Sequence, residues 1–184
     1  MSAPRVFLDA CVLYPPLVRG VLLETAANGL YAPLWSARVL AEWRIAAARN
    51  EGPMGETAAL AAEARMRAHF PDAEVPAAPE GEALLRLPDP ADAHVLAAAA
   101  AARADILLTF NLRDFPVGLV RREGAEPRHP DGFLWELASD APARFARLLA
   151  PVLPDGDPRT RRNALKRARL PRLGKLLEPA FPAA

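Results

Sequence analysis

Four acidic side chains stand where they could do chemistry together. Asp9 directly follows a short apolar run, and Asp92 opens an alanine-rich stretch. Asp114 lies just beyond a second apolar run, and Glu42 lies in a segment with helical spacing. Carboxylates that converge in a dry pocket cannot all stay ionised unless a cation neutralises them. A ligand set of oxygens alone favours a hard cation such as Mg²⁺, Mn²⁺ or Ca²⁺, and the matching chemistry is metal-assisted hydrolysis of a phosphodiester.

The stretch from Leu87 to Pro116 supplies the elements that position two of these acids. Its sequence predicts a helix that begins near Asp92 and runs through six consecutive alanines, then a turn and a buried strand at Ile106–Leu108. Helix N-termini and strand C-termini lie at the same edge of an open parallel sheet, where such folds bind ligands. Together with the strand before Asp9, this pattern predicts a three-layer α/β/α fold around a central parallel sheet.

Four further residues are candidates for contacts to the bound metal ion, its ligands or the substrate. Asp89 is one, although it equally suits the N-cap of the helix, with Pro90 at the first helical position. Asn111 is neutral, so it suits an outer or substrate contact better than charge neutralisation. Thr109 is a candidate of the same kind, and Arg113 is a candidate for a phosphate contact or an ordinary surface arginine.

Histidine and cysteine do not add a metal site. His69, His94 and His129 show no metal-ligand spacing and are interpreted as structural or surface groups. His94 lies two residues after Asp92, so we expect it on a different side of the helix. We interpret Cys11 as a small buried apolar residue.

For the rest of the chain, the sequence predicts helices and the segments that connect them. Leu30–Trp35 is expected to be a connecting segment, Pro71–Gly81 an exposed loop, and Val117–Glu126 a turn-rich stretch with at most one weak edge strand. The apolar spacing predicts further helices over residues 17–28, 37–49, 55–70, 131–138 and 142–153.

Charge is distributed unevenly between an acidic body and a basic tail. Residues 1–140 hold 13 arginines, no lysine and 19 acids, for a net charge of −6. Residues 141–184 hold 10 basic residues and 3 acids, for a net charge of +7. We therefore predict two domains, 1–140 and a basic helical extension over 141–184. Its candidates for RNA contact are Arg161, Arg162, Lys166, Arg167, Arg169 and Arg172.

Several classes of protein are disfavoured by what the sequence lacks. The only lysines are Lys166 and Lys175, which argues against aspartyl-phosphate chemistry that needs a lysine beside the nucleophile. Neither a dinucleotide-binding, a P-loop nor a nucleophile-elbow glycine motif is present. One cysteine allows no intramolecular disulfide, and neither a signal peptide nor a membrane-spanning run is found, so we expect a cytoplasmic protein that does not enter a membrane.

At these residues the sequence resembles a PIN domain, the nuclease fold of VapC-type toxins in bacterial toxin–antitoxin pairs. The resemblance covers about residues 3 to 140, and the tail resembles a helical extension that some PIN proteins carry. It rests on four segments in the family's order: FLDACVLYP (7–15), LWSARVLAEW (34–43), LPDPADAHVLAAA (87–99) and ILLTFNLRDFP (106–116), with a later PDGFL (130–134).

The resemblance implies a metal site. Asp9 would be the first ligand, Glu42 the second acid and Asp92 the third, and the fourth position falls on the turn from Asn111 to Asp114. Asn111 stands where many members carry an acid. Ala10 and Cys11 stand where hydroxyl-bearing residues are commoner.

The expected function is therefore an Mg²⁺- or Mn²⁺-dependent endoribonuclease, the toxin of a type II pair, with a small antitoxin protein as partner and a homodimer as a further option. The alternative is a non-catalytic PIN-like module that binds metal and RNA or protein. A nuclease directed at DNA or flaps is a third option, but the sequence lacks the insertions expected for it.

Overall fold

The computed structural model describes residues 3–181, which group into two compact units. The first comprises residues 3–14 and 31–128, and the second comprises residues 15–30 and 129–181. The division between residues 140 and 141 stays a prediction. Among the described residues, no helix is both long and apolar enough to cross a membrane.

Each strand is followed by one or more helices along the chain. In order they are β1 (Arg5–Leu8), α1 (Ala10–Leu13), α2 (Pro16–Ala27), β2 (Ala32–Ser36), α3 (Ala37–His69), β3 (Glu74–Val75), α4 (Pro79–Leu84), α5 (Ala93–Ala101), β4 (Ile106–Leu108), α6 (Val117–Arg122), β5 (Glu126–Arg128), α7 (Pro130–Ser139), α8 (Pro142–Leu149), α9 (Pro158–Arg167) and α10 (Pro171–Leu177). Short 3₁₀ helices cover Pro90–Asp92 and Glu178–Ala180.

The five strands of the first unit form one parallel sheet in the order β3-β2-β1-β4-β5. β1 lies at the centre, and its residues Val6, Phe7 and Leu8 are fully buried. The register pairs Leu8 with Leu108, so β1 and β4 end side by side. Helices flank the sheet, and the predicted three-layer α/β/α class is confirmed.

Three segments differ from the expectations drawn from sequence. Residues 30–35 are not merely a connection, because β2 lies there and pairs with β1. Residues 71–81 are not simply a loop, since they contain β3 and the start of α4. Residues 117–126 hold α6 before the edge strand β5. These strands are short and lack alternation, so their pairing with neighbours, rather than their own pattern, defines them.

α3 is two helices joined by a kink, as the turn signal at residues 50–53 indicates. Gly52 has a φ of 69°, a conformation that favours glycine, and Pro53 follows it. A Cβ atom on Gly55 would stand 2.7 Å from the carbonyl oxygen of Ala47 and 2.5 Å from the Cβ of Glu51. The second half therefore approaches the first more closely than any side chain at position 55 would permit.

The second unit is helical. α10 packs against α7 and α9, and α2 packs against α8. Phe145 and Leu149 of α8 and Leu173 and Leu177 of α10 are buried. The basic tail is therefore folded as helices, as predicted.

Candidate active site

Asp9 and Thr109 meet at the carboxyl edge of the sheet, because each directly follows one of two neighbouring strands. Asp9 is only 7% exposed. The hydroxyl of Thr109 donates a hydrogen bond of 2.7 Å to Oδ2 of Asp9. The thiol of Cys11 donates to the same oxygen at 3.0 Å. These two donors fix the orientation of the Asp9 carboxylate.

Cys11 is not the apolar core residue expected from sequence. Burial and the neighbouring Asp9 charge raise the pKa of its thiol to about 12, so it stays protonated and remains a donor. Its sulfur also accepts from the backbone N–H of Phe110 at 3.2 Å, and Thr109 Oγ1 accepts from the N–H of Asn111 at 2.9 Å. The thiol thus takes the place of a hydroxyl beside the first acid.

The turn after β4 joins Asn111 to Asp114. The side-chain amide of Asn111 donates to Oδ2 of Asp114, and the backbone N–H of Asp114 donates to the Asn111 carbonyl at 3.2 Å. The neutral Asn111 therefore orients the Asp114 carboxylate. Arg113, between them, is exposed, and no acidic partner is seen for it within the described residues.

Asp89 and Asp92 have different positions at the start of α5. Asp89 is exposed, and its carboxylate accepts from the N–H of Ala91 at 2.9 Å, so it caps the 3₁₀ turn as its alternative assignment predicts. Asp92 is half-buried at the junction with α5.

The pKa of the Asp92 carboxyl is raised to about 6, first by burial and then by repulsion from Asp9, Asp89, Asp114 and Glu42. The three other predicted acids, Asp9, Glu42 and Asp114, therefore all lie close enough to Asp92 to act on it electrostatically.

His94 contacts Glu42, which the sequence did not indicate. Its Nε2 lies 2.7 Å from Oε1 of Glu42, and its ring is 94% buried. Oε1 also lies 3.6 Å from Nε of Arg38. Nδ1 of His94 is buried, and no hydrogen-bond partner is found for it among residues 3–181. His94 and Arg38 thus hold the Glu42 carboxylate.

The two other histidines have the structural roles expected of them. His69 packs edge-on against the ring of Phe70, with 5.2 Å between ring centroids. His129 belongs to the second unit, where its Nδ1 accepts from the N–H of Asp131 at 3.1 Å and so caps α7.

Within the second unit, the six candidates for RNA contact are not equivalent. The guanidinium of Arg161 lies 5.6 Å from the centre of the Phe181 ring, and Arg162 forms an ion pair of 2.7 Å with Glu178. Both are therefore engaged in packing the tail. The side chains of Lys166, Arg167, Arg169 and Arg172 are exposed.

The donor set fits a hard divalent cation. Asp9, Glu42, Asp92 and Asp114 offer only oxygen, and a cation would relieve the repulsion that raises the pKa of Asp92. Across residues 3–181, no three His, Cys, Asp or Glu side chains stand together as a ready-made metal cage. Mg²⁺ does not require one, because it commonly binds through one or two carboxylates and keeps several waters.

Comparison with known proteins identifies the fold's family. No match was found among curated proteins or among solved structures. A family model described as "PIN domain" matches residues 5–113, which is more than half of the chain and includes Asp9, Glu42 and Asp92. The chain therefore belongs to the PIN-domain family, whose fold is of the nuclease type.

Proposed function

We propose that the protein is an Mg²⁺- or Mn²⁺-dependent endoribonuclease that hydrolyses RNA phosphodiester bonds. One observation carries this proposal: burial, together with the charges of Asp9, Asp89, Asp114 and Glu42, raises the pKa of Asp92 at the carboxyl edge of the sheet. Repulsion between the carboxylates destabilises the fold unless a cation neutralises it. Carboxylate oxygens favour a hard divalent cation in that role.

Asp9, Asp92, Asp114 and Glu42 would hold the cation. When bound, it would activate water for attack and stabilise the charge that builds up on the phosphate. The surrounding residues orient the acids: Thr109 and Cys11 act on Asp9, Asn111 on Asp114, and His94 on Glu42. Ionised Asp92 is the form that binds a cation, so we expect metal binding to strengthen as the pH increases through about 6.

The basic tail complements this acidic site. An acidic cluster repels the RNA backbone, so cationic side chains elsewhere must hold the strand. The exposed Lys166, Arg167, Arg169 and Arg172 suit that role better than Arg161 and Arg162, which pack within the tail. We further propose that the protein is the cytoplasmic toxin of a type II toxin–antitoxin pair, with a small antitoxin as partner and a homodimer as one assembly to test.

The proposal is tested by incubating single-stranded and structured RNA with the protein in Mg²⁺, in Mn²⁺ and in EDTA. We expect cleavage with either metal and none in EDTA. An Asp9→Asn/Asp92→Asn double variant should be inactive, because it removes two charges from the cluster. Equal cleavage by the wild type and the double variant would rule out the assigned site.

A non-catalytic module that binds metal and RNA or protein is the second candidate. It is favoured by Asn111, a neutral amide in the same turn as Asp114. Isothermal titration together with the cleavage assay distinguishes the two functions. The module would bind Mn²⁺ or RNA in the titration but would not cleave RNA.

A further inference from the structure

A stacked pair of side chains within the second unit has no part in the acidic site. The guanidinium of Arg172, on α10, lies 4.6 Å from the centre of the Trp135 ring, on α7. Trp135, Arg172, Lys175, Leu176 and Pro179 line a surface cavity of about 460 Å³. One aromatic face and two cations therefore border the same open space.

The backbone under this pair is firmly held. The buried carboxylate of Asp131 accepts from the N–H of Arg172 through Oδ2 and from the N–H of Leu173 through Oδ1, each at 3.0 Å. These bonds join the first turn of α10 to the first turn of α7. The cavity is thus bordered by two helices whose relative position is fixed. Little conformational entropy is therefore lost when a ligand binds.

Neither cation of the cavity is neutralised. Arg172 and Lys175 are exposed, and no carboxylate within the described residues forms an ion pair with either side chain. By contrast, Arg162 of the same tail is paired with Glu178. The combination of an aromatic ring, a guanidinium plane and a free ammonium attracts a ligand that is both planar and anionic.

We propose that this cavity binds one unstacked nucleotide of single-stranded RNA, with the base stacked against the Trp135–Arg172 pair and a phosphate at Lys175. The inference rests on the proposed ribonuclease function, and it identifies single-stranded RNA as the class of substrate that the tail holds. Proteins bind unpaired bases by stacking them on aromatic rings or arginine guanidinium planes, whereas duplex bases stay within their own stack.

RNA fits these features better than an acidic protein segment does. A carboxylate would pair with Arg172 or Lys175 but would leave the ring of Trp135 unused, whereas a nucleotide engages the ring and both cations. The tail around the cavity carries eight basic residues over 159–184, and successive phosphates would meet such a surface.

The intrinsic fluorescence of tryptophan gives a specific readout. Trp35 and Trp43 are 0% and 2% exposed, while Trp135 is partly exposed and lines the cavity. We expect an unstructured oligouridine of about eight nucleotides, added in EDTA, to quench the fluorescence of Trp135, a length within the range bound by single-strand modules. Trp135→Phe should remove the quenching, and a ribose-phosphate strand of the same length without bases should not cause it.

Affinity is then measured by fluorescence anisotropy of the labelled oligouridine. Trp135→Ala should weaken binding about fivefold or more, and Trp135→Phe, which keeps a ring, should weaken it less. Lys175→Gln should weaken binding and reduce the slope of log affinity against log salt by about 0.7, as expected for one lost phosphate contact. Arg172→Gln should weaken binding and reduce the quenching of Trp135, whereas the matched control Arg167→Gln should weaken binding and reduce the salt slope but leave the quenching unchanged.

The inference is overturned if Trp135→Ala binds with wild-type affinity or if the strand without bases binds as tightly as oligouridine. The second result would show binding by charge alone. Because binding is measured in EDTA, it is independent of turnover: oligouridine should still quench the fluorescence of Trp135 in the Asp9→Asn/Asp92→Asn variant. Loss of cleavage with intact stacking, or the reverse, therefore separates failure of the nuclease proposal from failure of this one.

Discussion

At the scale of single residues, Asp92 is the acid with the clearest electrostatic cost. Its pKa of about 6 lies above the usual aspartate pKa of about 4. Folding therefore disfavours the ionised form of Asp92. This penalty is absent well below pH 4, grows as pH rises from about 4 to about 6, and is constant above that range. Without metal, Asp92→Asn should therefore raise the free energy of unfolding at pH 8, and this advantage should shrink as the pH falls from about 6 toward 4.

Urea denaturation in EDTA across this pH range measures the effect, with the exposed Asp72→Asn as the matched control that should show no such trend. Added Mg²⁺ should stabilise the wild type and leave Asp92→Asn nearly unchanged, since ligands stabilise the state that binds them. A stability difference independent of pH would contradict the raised pKa of Asp92.

A second prediction at this scale concerns His94, which contacts the acid Glu42 rather than the reacting atoms. His94→Leu removes the donor within 2.7 Å of Glu42 Oε1, so the Glu42 carboxylate loses its orientation. By comparison with partners that orient metal ligands elsewhere, we expect about a tenfold increase in the Mg²⁺ concentration needed for half-maximal cleavage. His94→Gln keeps an N–H donor and should act less strongly. Equal metal dependence in all three proteins would show that His94 serves packing alone.

Residue types and spacing predict which acids to consider at the sheet edge but not all of the partners of those acids. Asp9 and Asp114 follow apolar strands, and that signal is local. The contact of His94 with Glu42 joins residues that are 52 positions apart in the sequence, and no local pattern encodes it. Cys11 was misinterpreted because cysteine usually packs as an apolar residue, whereas here it donates to Asp9.

At the scale of elements, the kink in α3 sets the direction of the second half of that helix. Gly55→Ala would place a Cβ atom 2.7 Å from a backbone oxygen of Ala47, which cannot move without disturbing the first half. We expect a loss of about 1–3 kcal/mol in the free energy of unfolding.

The matched control is Gly118→Ala in α6, where an added Cβ atom would meet nothing within 4 Å. It should be neutral or stabilising by up to about 1 kcal/mol, because alanine favours helices over glycine. Thermal or urea denaturation compares the two variants. If Gly55→Ala were as stable as the control, the close approach at the kink would be wrong.

The elements with strong local signals were predicted well, and those defined by tertiary pairing were not. The helix that begins after Asp92 and the strand at residues 106–108 have clear apolar patterns and turn signals. β2 includes Pro33, and β3 has only two residues, so each is recognisable chiefly by the neighbour with which it pairs. This is why residues 30–35 and 71–81 were expected to be connections.

At the scale of the whole molecule, charge is distributed unevenly between the acidic residues 1–140 and the basic residues 141–184. The chain's acidic residues include the proposed metal ligands, and its basic tail would provide the cations that the proposed RNA substrate requires. Composition alone was enough to predict this asymmetry. It did not predict that Arg161 and Arg162 would pack within the tail, because those contacts depend on how its helices fold.

The tail depends on Asp131 for its attachment to α7. Asp131→Ala leaves the N–H groups of Arg172 and Leu173 without their acceptor, so we expect a loss of about 1–3 kcal/mol. Urea denaturation should show this loss, and limited proteolysis should cut within residues 159–177 more rapidly. Asp155→Ala, in an exposed turn, is the control and should behave as the wild type. Unchanged stability and proteolysis in Asp131→Ala would contradict the anchoring role.

The rate of cleavage of single-stranded RNA as a function of Mg²⁺ concentration tests the central claim, that the acids at the sheet edge bind the metal ion that drives hydrolysis. It is measured for wild type, Asp9→Asn and the control Asp72→Asn. We predict saturable, metal-dependent cleavage for the wild type and the control, and a rate at least about a hundredfold lower for Asp9→Asn at every Mg²⁺ concentration, since a lost ligand removes several kcal/mol of charge stabilisation. Cleavage by Asp9→Asn at the wild-type rate, or wild-type cleavage that persists in EDTA, would contradict the claim.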